Sequence, residues 1–267
     1  MVASDRWETA SGWYEVLTLN PGDLALVSEL ARQGVDALER ACSPDRPEAE
    51  VQQLTDGGPQ PISRLLAQAV AAARRADLFS QGLVPVTVQA QPSELIQPGL
   101  VLDEDGRTLT LPSGSRLQVW PLARAWAADR IAEACSSKLG IGVLVNLGGD
   151  IAVAGELPPA GWRIEIENGQ PTPTGSDTIT MAWPGGLASA SAPAPRWPAA
   201  AGLRPRPRTW HSTAVAAHSC ERAKAACLTA LAMGDDAPRW LTQRELPARL
   251  VHTGGIAVQT PGWPSAT

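Results

Sequence analysis

Little in this sequence commits it to a familiar chemistry, and each shortage removes a class of function. Phe and Tyr occur once each, against ten Trp. Aromatic packing therefore rests almost wholly on indoles, which fill cores and also stack on flat rings. Histidine occurs three times, as His211, His218 and His252, and none belongs to an H-E-x-x-H motif. No G-x-x-x-x-G-K-[ST], G-x-S-x-G or G-x-G-x-x-G run exists either, so zinc-peptidase, P-loop, nucleophile-elbow and dinucleotide-fingerprint readings have no support. No stretch of about 18 apolar residues is free of charge, and membrane insertion is not expected. Residues 1–12 are polar and include Asp5, Arg6 and Glu8. They show no apolar leader core, twin arginine or lipobox, and the expectation is a soluble, cytoplasmic protein.

The four cysteines, Cys42, Cys135, Cys220 and Cys227, form no C-x-x-C pair. In a cytosolic chain they read as small buried apolar residues. Cys220 and Cys227 share a helix face with His218 just upstream, which leaves a metal site as the alternative there. A net charge of −5 and a pI near 5.3 argue against a nucleic-acid partner. Arg204, Arg206 and Arg208 alternate with Pro205 and Pro207, which reads as a solvated loop rather than a phosphate clamp.

What is present is ample for a globular fold. The chain has 267 residues, 44% of them hydrophobic, enough for a sizeable core. Helical periodicity predicts helices over about 23–41, 62–76, 122–138, 220–233 and 237–245, with Pro121 at the edge of the third and Gly140 and Gly234 closing the third and fourth. Alternation and β-rich runs predict strands over 143–147, 162–167, 178–183 and 213–217, an extended segment over 82–88, and hairpins at Asp105-Gly106 and at Gly254-Gly255. Residues 1–20 read as an N-terminal segment and 21–267 as one domain, with an irregular Pro/Ala/Arg-rich loop over about 192–209. The class is α+β, with some α/β mixing.

Two small-residue runs stand out. Asn146-Leu147-Gly148-Gly149-Asp150 follows a buried strand, and paired glycines let a backbone approach either a ligand or another chain segment. Gly185 through Ser191 is a second such run. Either leaves room for a bulky ligand or packs as an ordinary loop, and the residues alone do not choose.

Several segments, taken in order, resemble the FAD:protein FMN transferase family, the ApbE-like flavin transferases. They include Ala41-Cys42-Ser43, Gly82 through Val88, Trp126-Ala127-Ala128-Asp129-Arg130, Val143 through Ile151, Gly185 through Ser189, Trp210 through Gly234 and Leu246 through Val251. The resemblance implies a flavin-transferase-like (T-fold-like) architecture of antiparallel sheets packed against helices. It also implies transfer of FMN from FAD to a Thr of a target protein, with magnesium neutralising the phosphates. By the same resemblance Thr87, Gln118, Trp120, Pro121, Arg124 and Ser189 fall at flavin-pocket positions, and Gly148, Gly149 and Asp150 at the glycine turn.

The departures are as informative as the matches. The family's Asp-Leu-Gly before the central helix reads Gln118-Val119-Trp120 here, followed by Pro121 where a metal-binding carbonyl is offered, and Arg124 replaces a Lys. Phe-Asp-Pro-Thr becomes Val84-Pro85-Val86-Thr87. The His-x-x-Asp-Pro-x-Thr-Gly segment has no counterpart between Trp197 and Trp210. The acidic and Thr positions of the metal-binding helix become Lys224 and Leu228, with Cys227 between them. At about 4 Å and an effective dielectric near 20, a unit positive charge repels a divalent cation by about 8 kcal/mol. The expectation is a pseudoenzyme that binds no metal, with a partner or scaffold role beside a flavoprotein target or an active paralogue. The alternatives are an active transferase using FAD and magnesium, and a flavin-binding module without transfer chemistry. In the first reading Trp120 plugs the vacated cavity.

Overall fold

Tyr14, Val16 and Thr18 are buried and alternate with less buried neighbours, a period-two pattern that the hairpin of β1 (Ala3–Thr9) and β2 (Gly12–Thr18) turns toward the core. The computed structural model describes residues 2–89, 99–103, 105, 107–166, 177–191 and 209–264. The hairpin is followed by α1 (Leu24–Cys42), a short α2 (Glu50–Gln53), β3 (Pro59–Pro61) and α3 (Arg64–Phe79). Four three-residue strands come next, β4 (Thr87–Gln89), β5 (Val101–Asp103), β6 (Thr108–Thr110) and β7 (Ser115–Leu117), leading into the long central α4 (Trp120–Leu139). Then come β8 (Val143–Leu147), β9 (Asp150–Ala154), β10 (Trp162–Ile166), β11 (Asp177–Met181), β12 (Gly185–Ser191) and β13 (Trp210–Ala217). The described chain ends with α5 (Cys220–Met233), α6 (Ala237–Gln243), β14 (Ala248–His252) and β15 (Ala257–Gln259).

Eight strands make one antiparallel sheet in the order β1-β2-β8-β9-β12-β13-β14-β15. Helices cover one face. Val27, Ala31, Val35 and Leu38 of α1 repeat at helical spacing and share one core with the buried Ala stripes of α3, α4 and α5 and with Val16, Val145, Ala152 and Val215 of the sheet. The β10–β11 pair covers part of the other face, where Trp162, Ile164, Ile179 and Met181 pack on Leu144, Ile151, Val153 and Leu187. This is the expected α+β arrangement of antiparallel sheets packed on helices.

Two local readings change. The first twenty residues, set apart on the sequence, supply the two strands at one edge of the main sheet. The fully buried Glu39 of α1 fastens the hairpin in place. It accepts from the Tyr14 hydroxyl at 2.7 Å and from Thr9 Oγ1, and pairs with Arg46 at 2.5 Å. Likewise Gly185 through Ser191 is an inner strand and not a loop, pairing β9 and β13. Its small residues serve close packing: a Cβ on Gly186 would lie 2.0 Å from the backbone nitrogen of Cys220, so only glycine lets α5 sit this near the sheet. The predicted Pro/Ala/Arg-rich loop, with Arg204, Arg206, Arg208 and Trp197, lies outside the described residues apart from Thr209.

Candidate ligand-binding site

The glycine turn between β8 and β9 takes positive φ at both glycines, +62° at Gly148 and +87° at Gly149, a region that favours glycine. The turn is pinned by Gly149 N, which donates to Asn146 Oδ1 at 2.9 Å. It is also tightly packed. A Cβ on Gly148 would stand 3.2 Å from Arg124 Nη1, and one on Gly149 2.9 Å from Ser189 Oγ. The glycines thus make room for side chains from α4 and β12.

Directly after the turn comes Asp150, fully buried. Two helices bring cations to its two oxygens. Arg124, one turn into α4, donates from Nε to Oδ2 at 2.8 Å. Lys224, one turn into α5, places its ammonium 2.9 Å from Oδ1 and donates to the Ser189 carbonyl at 2.6 Å. Burial works against the charge on Arg124, but Asp150 outweighs it and holds the guanidinium pKa above its ordinary value. The Lys224 side chain is 6% exposed and that of Arg124 18%. One carboxylate between two cations leaves the cluster with one net positive charge, almost entirely out of bulk water.

This cluster forms part of the floor of a cleft of about 610 Å³. Trp120, Pro121, Ser189 and Leu228 line it together with Arg124, Lys224 and the glycine turn. The N-terminal hairpin adds Arg6, whose guanidinium lies 4.3 Å over the ring of Trp13, and β10 adds Arg163 through Ile166. Trp120 is among the residues that line this cleft.

Most of the residues singled out on the sequence therefore converge: Trp120, Pro121, Arg124, Gly148, Gly149, Asp150, Ser189, Lys224 and Leu228. Three do not. Thr87 pairs with Leu117 in the small β4–β7 sheet, and the backbone N–H of Gln118 donates to Val86 O at 2.8 Å; neither lines the cleft. Cys227 is fully buried under the sheet, donates to Ala188 O at 3.1 Å, and has its thiol pushed up to about 12 by burial. The sequence reading missed Arg6, Trp13, Glu15 and Arg163. The alternation Trp13-Tyr14-Glu15-Val16 carried a strand signal for two of them, but which strand β2 pairs with is a tertiary matter.

The residues do not fit a divalent cation. Magnesium asks for several hard oxygens in near-octahedral array, whereas both Asp150 oxygens already face cations and Leu228 offers none. Among the described residues no group of three or more His, Cys, Asp and Glu side chains is placed to hold a metal. The alternative site at Cys220, Cys227 and His218 does not form either. The Cys220 thiol contacts Leu187 O at 3.8 Å beneath the sheet, and burial raises its pKa well above the ordinary value.

His218 opens instead into a second cavity of about 490 Å³, beside Asp129. From α4, the Asp129 carboxylate accepts from Cys220 N at 2.7 Å and Glu221 N at 2.9 Å, capping α5. Burial pushes its pKa up to about 6 against the lowering effect of these two bonds. This capping carboxylate ties together the two helices that carry Arg124 and Lys224.

Comparison with known proteins agrees with the sequence resemblance. The ApbE family model matches residues 91–191. The fold is that of solved ApbE structures. Flavinyl transferase ApbE from Pseudomonas stutzeri, in its apo form, superposes with a TM-score of 0.76 at 18% identity, covering 98% of this chain and 95% of that one. Flavin transferase ApbE from Vibrio cholerae gives 0.74 at 17% identity, with 98% of both chains covered. The ApbE protein of Thermotoga maritima gives 0.78 at 14% identity, with 98% and 97% covered. No curated protein matches the sequence. No helix of the described residues is long and apolar enough to cross a membrane.

Proposed function

We propose that the chain is a divergent relative of the ApbE family, which its family-model match over residues 91–191 supports, and that it does not transfer FMN but keeps the fold as a ligand-binding or partner protein. The observation that carries this reading is the position of Lys224. Its ammonium lies between the Asp150 carboxylate and the Ser189 carbonyl, on the helix where the family resemblance calls for a metal-binding acid. A divalent ion about 4 Å from the net positive charge of this cluster would be repelled by about 8 kcal/mol at an effective dielectric near 20. Phosphoryl transfer depends on a metal or its equivalent to neutralise charge that develops on the phosphates. The partner would be a flavoprotein target or an active paralogue, with the chain acting as a scaffold.

The test is incubation of the purified protein with FAD, magnesium and a Thr-containing acceptor flavoprotein, read by intact mass. No flavin adduct is expected with magnesium, manganese or calcium. An adduct formed at a catalytic rate sinks the proposal in favour of an active transferase.

A second reading, a flavin-binding module without transfer chemistry, draws on Trp120 and Trp13 lining an open cleft, since indoles stack on flat rings. Visible absorbance in the purified protein, or quenching of flavin fluorescence on titration, distinguishes it. A protein that leaves flavin fluorescence unchanged rules it out.

A further inference from the structure

We propose that the floor of the cleft is a metal-free oxyanion site, in which Lys224 and Arg124 together hold the phosphate or carboxylate group of a ligand with an apolar or aromatic body. The inference rests on the non-transferring reading above and names the ligand class that the same cleft takes.

Charge comes first. Among the described residues, the cleft is lined by four cations, Arg6, Arg124, Arg163 and Lys224, and two carboxylates, Glu15 and Glu165, with the Asp150 carboxylate paired to Arg124 and Lys224 behind them. Arg6 and Glu15 are register partners on neighbouring strands, and Arg163 and Glu165 share one face of β10 at the exposed rim. These four balance each other in water. The excess of one positive charge therefore falls on the buried trio of Arg124, Asp150 and Lys224. An uncompensated charge out of water is strongly unfavourable, and an anion seated against it relieves the imbalance.

Donor capacity points the same way. An ammonium has three protons and a guanidinium five. Lys224 gives one to the Ser189 carbonyl and faces Asp150 Oδ1, while Arg124 is joined to Asp150 through Nε. At 6% exposure, with its side chain lining the cleft, Lys224 is a buried charged group with hydrogen-bonding capacity beyond these contacts. Charge-assisted bonds from both cations to one oxyanion are short and strong, and the Arg fork suits two oxygens of one group. The walls supply the rest of the ligand's surroundings: Trp13, Trp120, Leu228 and Ile164 are apolar or aromatic. No metal has a part in this arrangement, because Lys224 already provides the positive charge.

The test is isothermal titration in EDTA at fixed ionic strength with phenyl phosphate, benzoate and phenol. Phenyl phosphate is expected to bind, phenol not to bind detectably, and excess magnesium to leave the phosphate affinity unchanged. Benzoate separates the sources: comparable binding assigns the site to oxyanions in general, and much weaker binding assigns it to phosphate esters. Lys224→Met should weaken phenyl phosphate binding by about tenfold or more, as loss of a charge-assisted bond does, while Lys224→Arg retains much of it. Melting curves of both variants show that the fold is intact, and an additional Arg124→Gln variant serves if Lys224→Met does not fold. No binding of either anion in EDTA, or binding that neither variant weakens, overturns the proposal. That failure leaves the non-transferring reading standing, and an FMN adduct in the transfer assay would remove that reading without bearing on binding in EDTA.

Discussion

Lys224 and Asp150 stand 2.9 Å apart across the junction of α5 and the main sheet, and Asp150 is fully buried. Because Arg124 holds the other oxygen at 2.8 Å, removing the carboxylate strands two cations in a poorly solvated place. Asp150→Asn is expected to destabilise the fold by about 3–5 kcal/mol, the range for breaking a buried pair on one side. Adding Lys224→Met to Asp150→Asn should restore part of that loss. Urea denaturation of the two variants measures it, and a double variant no more stable than the single one counts against the ion-pair account.

Replacing the internal cation should open the place to an external one. Lys224→Asp with Leu228→Thr puts a carboxylate and a hydroxyl beside Asp150 and the Ser189 carbonyl, a hard-oxygen set suited to magnesium or calcium. The variant is expected to be less stable than wild type in EDTA and to melt at a higher temperature as either ion is added. A site saturated to a hundred times its dissociation constant gains about 2.7 kcal/mol. Wild type should show no such shift in differential scanning fluorimetry.

The cap on α5 predicts a pH dependence. Burial raises Asp129 to about 6, above the unfolded value near 3.9. The native state therefore keeps a proton that the unfolded chain has already lost between these values. The resulting stabilisation is fully present below about pH 3.9 and is lost as pH rises through about 6, with a total of about 3 kcal/mol as an upper figure. Asp129→Asn keeps a carbonyl for one of the two backbone N–H groups and should flatten this part of the stability–pH curve.

Close packing at Gly186 is open to a direct check. A Cβ there would lie 2.0 Å from Cys220 N and 2.3 Å from Cys220 Cα, and backbone on that side can yield only if α5 moves away from β12. Gly186→Ala should lower stability by about 3 kcal/mol, the upper end for overpacking. It should also weaken oxyanion binding, since Lys224 rides on α5. A variant with wild-type melting and binding would contradict this close approach of α5 to β12.

All four cysteines are buried without disulfides, and burial raises each thiol pKa, to about 11 at Cys135 and about 12 at Cys227. A thiol-disulfide reagent acts on thiolate, so the native protein is expected to leave Ellman's reagent uncoloured at pH 8 and to react fully in guanidinium chloride. Rapid reaction of the native protein would show that one of these sites opens.

The sequence by itself determined the local elements and singled out several residues that line the candidate site. Helical spacing of Val27, Ala31, Val35 and Leu38 marks α1, and alternation in Trp162 through Ile166 marks β10. Gly148-Gly149 marks a turn, and the family resemblance singles out Lys224 as a cation at a position where it implies an acid. These signals are local, since a period of 3.6 or 2 and a need for positive φ act within a few residues. Only the tertiary structure decided what Lys224 does with its charge. Asp150, Arg124 and the Ser189 carbonyl come from a strand, a helix and another strand far apart in the chain, and they meet because α4 and α5 pack side by side on the sheet. It also drew Arg6 and Trp13, from a hairpin set apart on the sequence, to the rim of the same cleft. Strand pairing across long loops depends on burial of the whole face, which no window of neighbouring residues encodes.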